Sequence, residues 1–307
     1  MRRLACTLTV LLVLAGCGGG EGGESTTSTE PAGGAAEFDA ARAFADLKAQ
    51  VRLGPRPSRS PAQREAADLI AKGLADAGAT EITTQHPWEN VLGTIPGSGE
   101  GTVVVGAHYD TKDAIPGFVG ANDGASGVAV MLELARSLPN PMPGPSIQFV
   151  AFDAEEARGD RDFLDDGARG SEQYVKYAKA GGEQGSAPLD QIHAMVLFDM
   201  IGDCDLQIPR ELSSDEQLYG AFADAATELT GGPEPFKGTF GGVVDDHTAF
   251  VSAGVPSLDL IDFDYGPGIA PGRWWHTPQD TLDKVCADSL DAVGEAALVA
   301  IPRIADG

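Results

Sequence analysis

Apolar positions recur along this chain with two periods. Phe38, Ala41, Phe44, Leu47 and Val51 follow the three-and-four spacing of a helix over residues 37–51. Gly54-Pro55-Arg56-Pro57 breaks that pattern. Ser60 and Pro61 then open a second helix as N-cap and first helical residue, with Ala66, Leu69, Ile70 and Leu74 on its apolar face. Short apolar runs predict strands at 81–85, 90–95, 102–105, 146–152, 194–199 and 256–261. Helical stretches are predicted at 128–138 and 212–229. Strands alternating with helices predict an α/β fold, a single-domain sandwich with a central, mostly parallel (mixed) β-sheet flanked by helices.

Chemically capable side chains collect just after these strands. The run Val103–Val105 leads to His108 and Asp110, and a glycine-rich loop then carries Asp123. Asp153, Glu155 and Glu156 follow the strand at 146–152, and Asp199 closes the one at 194–199. Asp245-Asp246-His247 and Trp274-Trp275-His276 complete the set. The carboxyl ends of strands are where ligands bind in an open α/β sheet. Carboxylates and imidazoles drawn from separate strand ends are the donors that a zinc site uses, three from protein with one position left open. So many acids brought together repel one another unless a cation lies among them. Glu155 and Glu156 are adjacent and point in different directions, so one can ligate while the other acts as general base. Each residue taken singly has a plainer reading. Asp123 suits a helix N-cap after a turn, and Asp245 or Asp246 could cap a helix over 248–252. A lone histidine often sits satisfied in a core. The combination, and no single member, points to a metal site.

Charge and the chain's first residues narrow the setting. With 46 acidic and 21 basic residues the formal net charge is −25, which argues against nucleic acid, since phosphate neutralisation needs Lys and Arg. Arg2, Arg3 and the short apolar run at 8–14 read as a leader over residues 1–16. Leu14-Ala15-Gly16-Cys17 resembles the bacterial lipoprotein signal, which implies cleavage before Cys17 and lipidation of its thiol. The alternative is an ordinary secretory leader in which Cys17 is incidental. Residues 17–36 then form a lipidated cysteine with a flexible, acidic Gly/Ser tether. Residues 37–307 form the catalytic domain, with no repeat or second linker dividing them. The expected location is extracytoplasmic, on a bacterial cell membrane, held through the lipid anchor only. Cys204 and Cys286 remain as an even pair in an oxidising compartment, which makes a disulfide plausible without showing that they meet.

His108-Tyr109-Asp110, Asn122-Asp123-Gly124, Asp153-Ala154-Glu155-Glu156, Asp199 and His276-Thr277 resemble the zinc-dependent aminopeptidase family that also contains the glutaminyl cyclases. The similarity runs over residues 53–285. It implies peptide or protein N-termini as substrates. In an aminopeptidase, Asp123 would bridge two zinc ions, with His108 and Asp199 on one, Glu156 and His276 on the other, and Glu155 as base. In a cyclase a single zinc would be held by Asp123, Glu156 and His276, Glu155 would be the base, and Asp199 and Asp245 would hydrogen-bond around it. Phe118-Val119-Gly120-Ala121, residues 131–135, Asp245-Asp246-His247 and Trp275-His276-Thr277 look like the cyclase versions. Asn122-Asp123-Gly124-Ala125-Ser126-Gly127 is closer to the peptidase form, and residues 157–170 lack a tryptophan common in animal cyclases. The resemblance makes Trp275 the expected wall of the substrate pocket, with Phe240 and Trp274 as further candidates. His247 would orient Asp245 or stabilise the intermediate. A non-catalytic binding lipoprotein on the same fold is the remaining alternative.

Overall fold

The computed structural model of the chain describes residues 37–306, and the first element already shows how local chemistry sets its boundaries. Asp39 accepts from the backbone N–H of Arg42 and so caps helix α1 (Ala40–Val51). Ser60 does the same from Gln63 N–H for α2 (Pro61–Asp76), with Pro61 at the first helical position, where its missing N–H costs nothing. Strands β1 (Thr80–Thr84), β2 (Val91–Ile95) and β3 (Thr102–His108) follow, then α3 (Ser126–Ser137), β4 (Ser146–Phe152), α4 (Phe163–Asp166) and α5 (Arg169–Lys179). The remainder comprises β5 (Ile192–Asp199), β6 (Arg210–Glu211), α6 (Glu216–Thr230), β7 (Thr239–Phe240), α7 (His247–Val251), β8 (Ser257–Ile261) and α8 (Ala287–Asp306).

Six strands form one mixed sheet in the order β1-β2-β4-β3-β5-β8, while β6 and β7 pair separately. The pairs β4–β3, β3–β5 and β5–β8 are parallel, and β1–β2 and β2–β4 are antiparallel. Both faces are covered, which explains the near-continuous apolar strands. Val103, Val105, Ala107, Ala194, Val196 and Phe198 face the helices α1, α2, α3, α6 and α8. Val104, Met195 and Leu197 face the opposite layer, which contains α5 and α7. The crossover from β3 to β4 uses α3 on one face, and the return from β4 to β5 uses α5 on the other. The chain therefore changes direction at β3, and a crevice opens at the carboxyl ends of β3, β4, β5 and β8. Helix α3 lies so close to the sheet that a Cβ on Gly127 would stand 2.1 Å from the Phe198 carbonyl oxygen.

The mixed sheet flanked by helices is the fold class expected from the sequence. Differences concern boundaries and two helices. The stretch read as a helix over 212–229 starts later, at Glu216, because Asp215 accepts from Gln217 and Leu218 N–H and caps it there. Helices α5 and α8 were not anticipated. Helix α5 mixes charge with a narrow apolar face of Tyr174, Val175 and Ala178. Helix α8 is rich in alanine and includes Pro302, which weakens its helical signature. The leader, Cys17 and the tether lie outside the described residues. Among the described residues, no helix is long and apolar enough to cross a membrane.

Cys204 and Cys286 are joined by a disulfide across 82 residues of sequence, linking the segment after β5 to the start of α8. Closing a loop of that length restricts the unfolded chain by about 4 kcal/mol. Replacing both cysteines by serine is expected to lower the unfolding free energy by up to that amount. Urea denaturation with and without the bond measures it, and an unchanged midpoint would contradict it.

Candidate metal centre

Four strand ends deliver the polar groups. His108 ends β3, Asp199 ends β5, Glu155 and Glu156 follow β4, and His276 lies in the long loop after β8. Three turns place these side chains using residues in the left-handed region, Ala154 (φ +59°), Met200 (φ +48°) and His276 itself (φ +50°). A non-glycine residue held there costs about 1 kcal/mol, and such strain concentrates at functional sites.

Asp123 stands on a loop clamped from two sides. The Asp280 carboxylate accepts from the N–H of Asn122 (2.8 Å) and Asp123 (3.1 Å) and from the Tyr265 hydroxyl (2.7 Å). Buried Arg56 donates to the carbonyls of Val119 (2.7 Å), Gly120 (3.2 Å) and Tyr109 (3.2 Å). Burial lowers Arg56 to about 10, so it remains charged at neutral pH. Gly124 (φ +98°) makes the turn, where a Cβ would stand 2.6 Å from the Asp110 carbonyl. Helix α3 begins only at Ser126 with no side-chain cap, so Asp123 is free of the capping role that its position allowed.

The two Asp123 oxygens face opposite ways. Oδ1 lies 3.3 Å from His108 Nε2, and that same nitrogen lies 3.1 Å from Asp199 Oδ1. Oδ2 lies 3.4 Å from His276 Nε2, which is 3.2 Å from Glu156 Oε1. Two triads result, Asp123–Glu156–His276 and His108–Asp123–Asp199, each with its ligand atoms within 4.8 Å of one another. Asp123 Oδ2 and Glu156 Oε1 are buried with no hydrogen-bond partner among the described residues. Unpaired buried oxygens converging on an imidazole nitrogen fit a divalent first-row cation such as zinc, which takes this donor set.

The electrostatics agree. Burial pushes Glu155 well above the usual carboxylate range; His108 opposes this, while Glu156, Asp245 and Asp246 add to it. Burial likewise raises Glu156, aided by Asp123, and raises Asp199 against the pull of His108. Both imidazoles are raised as well, which for them favours the charged form. Burial disfavours charge on His108, but Glu155 and Asp199 outweigh it, and Glu156 and Asp123 do the same for His276. The centre thus draws positive charge to both triads.

Over the first triad lies a cavity of about 460 Å³, walled by Trp275, Phe263, Val243 and Phe163 and reached by Glu155, Asp199 and Asp245. The Trp275 ring stacks on His276 at 3.9 Å. Asp110 stands behind the centre, accepting from Glu155 N–H at 3.1 Å. Asp153 is turned away and accepts from Glu89 N–H. Three expected substrate contacts are corrected. Phe240 does not line the cavity; it stacks behind Phe263, which takes the wall position. His247 is wholly buried and held by Ser213, so it cannot reach a substrate there. Trp274 packs on Tyr265, away from the cavity. Sequence reasoning missed Asp280, Arg56 and Lys112, whose ammonium lies 3.6 Å from Glu156 Oε2. Asp280 follows His276 by four residues, which was the available signal. Arg56 carried none, because its partners are backbone carbonyls.

Residues 90–301 match Peptidase family M28. The chain is 30% identical over 243 residues to a glutaminyl-peptide cyclotransferase of Bos taurus, covering 67% of this chain and 64% of that one. An Acidobacteriales bacterium glutaminyl cyclase structure is 32% identical with TM-score 0.77, covering 90% of this chain and 97% of that one. A Zn-dependent exopeptidase structure from Parabacteroides distasonis is 27% identical with TM-score 0.73, covering 89% and 100%. Curated relatives include aminopeptidases as well as cyclotransferases, and the chain spans 40% and 64% of the length of the first two.

Without a cation, the raised carboxylates favour the folded state only while protonated. That stability is present at low pH and is lost as pH rises through their raised values. A bound ion offsets the loss. At about a hundredfold above its Kd it contributes about 2.7 kcal/mol, equivalent to roughly 5–10 °C in Tm for a domain of this size. Chelation is expected to lower Tm by that amount at pH 8 and by clearly less at pH 5. Scanning calorimetry checks this, and equal shifts at both pH values would contradict it.

Proposed function

The chain belongs to peptidase family M28, and from that premise we propose that it is a zinc-dependent glutaminyl-peptide cyclotransferase, converting an N-terminal glutamine of peptides or proteins to pyroglutamate with release of ammonia. The observation that carries this reading is Glu155, a buried acid with raised proton affinity at the rim of an aromatic cavity, directly beside an Asp123–Glu156–His276 triad. Cyclisation needs a group that takes a proton and returns it, in a pocket from which water is kept out.

Asp123, Glu156 and His276 are the residues that would hold zinc. Bound there, zinc supplies Lewis acidity towards a carbonyl oxygen. Glu155 removes a proton from the substrate α-amine. The amine nitrogen then bonds to the side-chain amide carbon, closing the ring. Glu155 returns the proton to the amide nitrogen as its bond to carbon breaks, and ammonia leaves. Asp199 and Asp245 line the same cavity as Glu155, and the Asp245 charge helps Glu155 to hold its proton. Trp275 and Phe263 hold the substrate side chain and exclude water.

A second reading is a di-zinc aminopeptidase, favoured by the second triad of His108, Asp123 and Asp199. In it Glu155 is the base for a water molecule, and the first peptide bond is cut. The product decides between them. A peptide beginning Gln-Ala, incubated with the zinc-loaded protein, is expected to lose one ammonia with its chain intact. Glu155→Gln is expected to slow that reaction by about 10²–10⁴-fold. Free glutamine would establish the aminopeptidase, and no product with zinc bound would overturn both readings.

Lipid anchoring at Cys17 and an extracytoplasmic location belong to the same proposal, supported by Leu14-Ala15-Gly16-Cys17 and by the Cys204–Cys286 disulfide. Cys17→Ser is expected to move the protein from the membrane to the soluble fraction on cell fractionation. Retention in the membrane would contradict the anchor.

A further inference from the structure

Behind Asp245 lies a buried group of side chains, His247, Asp259 and Glu211, for which the proposed reaction has no use. His247, Asp259 and Glu211 are completely buried, and Asp245 is nearly so. Asp259 sits mid-strand in β8, within Ser-Leu-Asp-Leu-Ile, where a charge brings no packing benefit. Both of its carboxylate oxygens lack a hydrogen-bond partner among the described residues, as do Asp245 Oδ2 and His247 Nδ1. Asp259 Oδ2 lies 3.5 Å from His247 Nδ1, and one ligand atom from each of Asp245, His247 and Asp259 falls within 4.8 Å of the others.

The far side of the imidazole shows which nitrogen is available. Glu211 accepts from Ser213 N–H (2.8 Å), Ser214 N–H (2.9 Å), Val243 N–H (3.3 Å) and the Ser213 hydroxyl (2.7 Å). A carboxylate so surrounded only accepts, so the Ser213 hydroxyl spends its hydrogen on Glu211. Ser213 Oγ must then accept from His247 Nε2 at 2.7 Å. The proton is fixed on Nε2, and Nδ1 is turned with its lone pair towards Asp259 and Asp245. An imidazole whose outer N–H is held by a hydroxyl–carboxylate relay is the arrangement that metal-ligating histidines show. Lone pairs facing lone pairs in a dry interior repel unless a cation lies between them.

We propose that Asp245, His247 and Asp259 form a separate enclosed site for a divalent first-row cation, with zinc the best match to one imidazole nitrogen and carboxylate oxygens. The ion is structural. It joins β8 to the start of α7, and it neutralises the acids behind Asp199 and Glu155 whatever the reaction at the cavity. The competing arrangement places a proton there instead, either on His247, giving an imidazolium between Asp259 and Glu211, or on the buried Asp259 carboxyl facing Nδ1.

The test counts ions. The full chain is stripped with a chelator, reloaded with zinc chloride, freed of excess and assayed by mass spectrometry for zinc per chain. Asp259→Asn is expected to hold one ion fewer than the unsubstituted protein, because both catalytic triads are left intact. Equal counts would overturn the proposal in favour of a proton held between His247 and Asp259. If Asp259→Asn does not fold, a crystal of the zinc-loaded unsubstituted protein answers instead. An anomalous peak at the zinc edge between His247 Nδ1 and Asp259 is expected, and a map without one there would overturn the site.

Discussion

The arrangement of this domain depends on one electrostatic constraint: many carboxylates are buried together at a single edge of the sheet. Asp123, Glu155, Glu156, Asp199 and Asp245 each lose most of their water on folding. Like charges at that range are intolerable in a low-dielectric interior without compensation. Among the described residues, His108, His276 and Lys112 stand directly against these acids, and buried Arg56 adds its charge behind Asp123. Both histidines are driven towards their charged forms and four of the five acids towards their neutral ones. A protein that held this edge together with protons alone would lose stability as pH rises through the raised values of these acids. A cation bound among these acids would remove that difficulty.

The rest of the fold serves to hold these side chains at fixed separations. The crossovers bring four strand ends to one crevice. The close approach of α3 to β5, which Gly127 permits, places the Asp123 loop against β5. Arg56 and Asp280 then fix that loop through its backbone groups rather than through the Asp123 carboxylate. Such support keeps Asp123 from rotating to satisfy itself with a local donor, so both of its oxygens stay available.

The relatives of this chain include both cyclotransferases and aminopeptidases, and the two chemistries differ in their need for water. Hydrolysis needs a water delivered to the reacting carbon, whereas cyclisation is impaired by one. Trp275 stacked on His276, with Phe263 beside it, gives this cavity an apolar wall directly at the reacting position. The second triad, His108–Asp123–Asp199, keeps the hydrolytic arrangement within reach. Selection between the two therefore rests on the contents of the cavity more than on the identity of the base.

Much of this was legible in the chain itself. Hydrophobic periodicity gave the strands, because a strand buried on both faces must be apolar throughout. The positions of His108, Asp123, Glu155, Glu156, Asp199 and His276 just after strands marked one rim, because strand ends in such a sheet converge. Sequence alone could not decide three matters that depend on which groups meet across long separations. It could not show that Asp123 divides its oxygens between two histidines. It could not show that Phe263, rather than Phe240, faces the cavity, since both are aromatic residues in loop-rich sequence. Nor could it show that His247 turns inward to Asp259, a residue that reads as an ordinary interruption of an apolar strand. Spacing along the chain determines periodicity and strand ends because those are local; the pairing of charges was settled only by packing, because burial decides which of them lose water and must find one another.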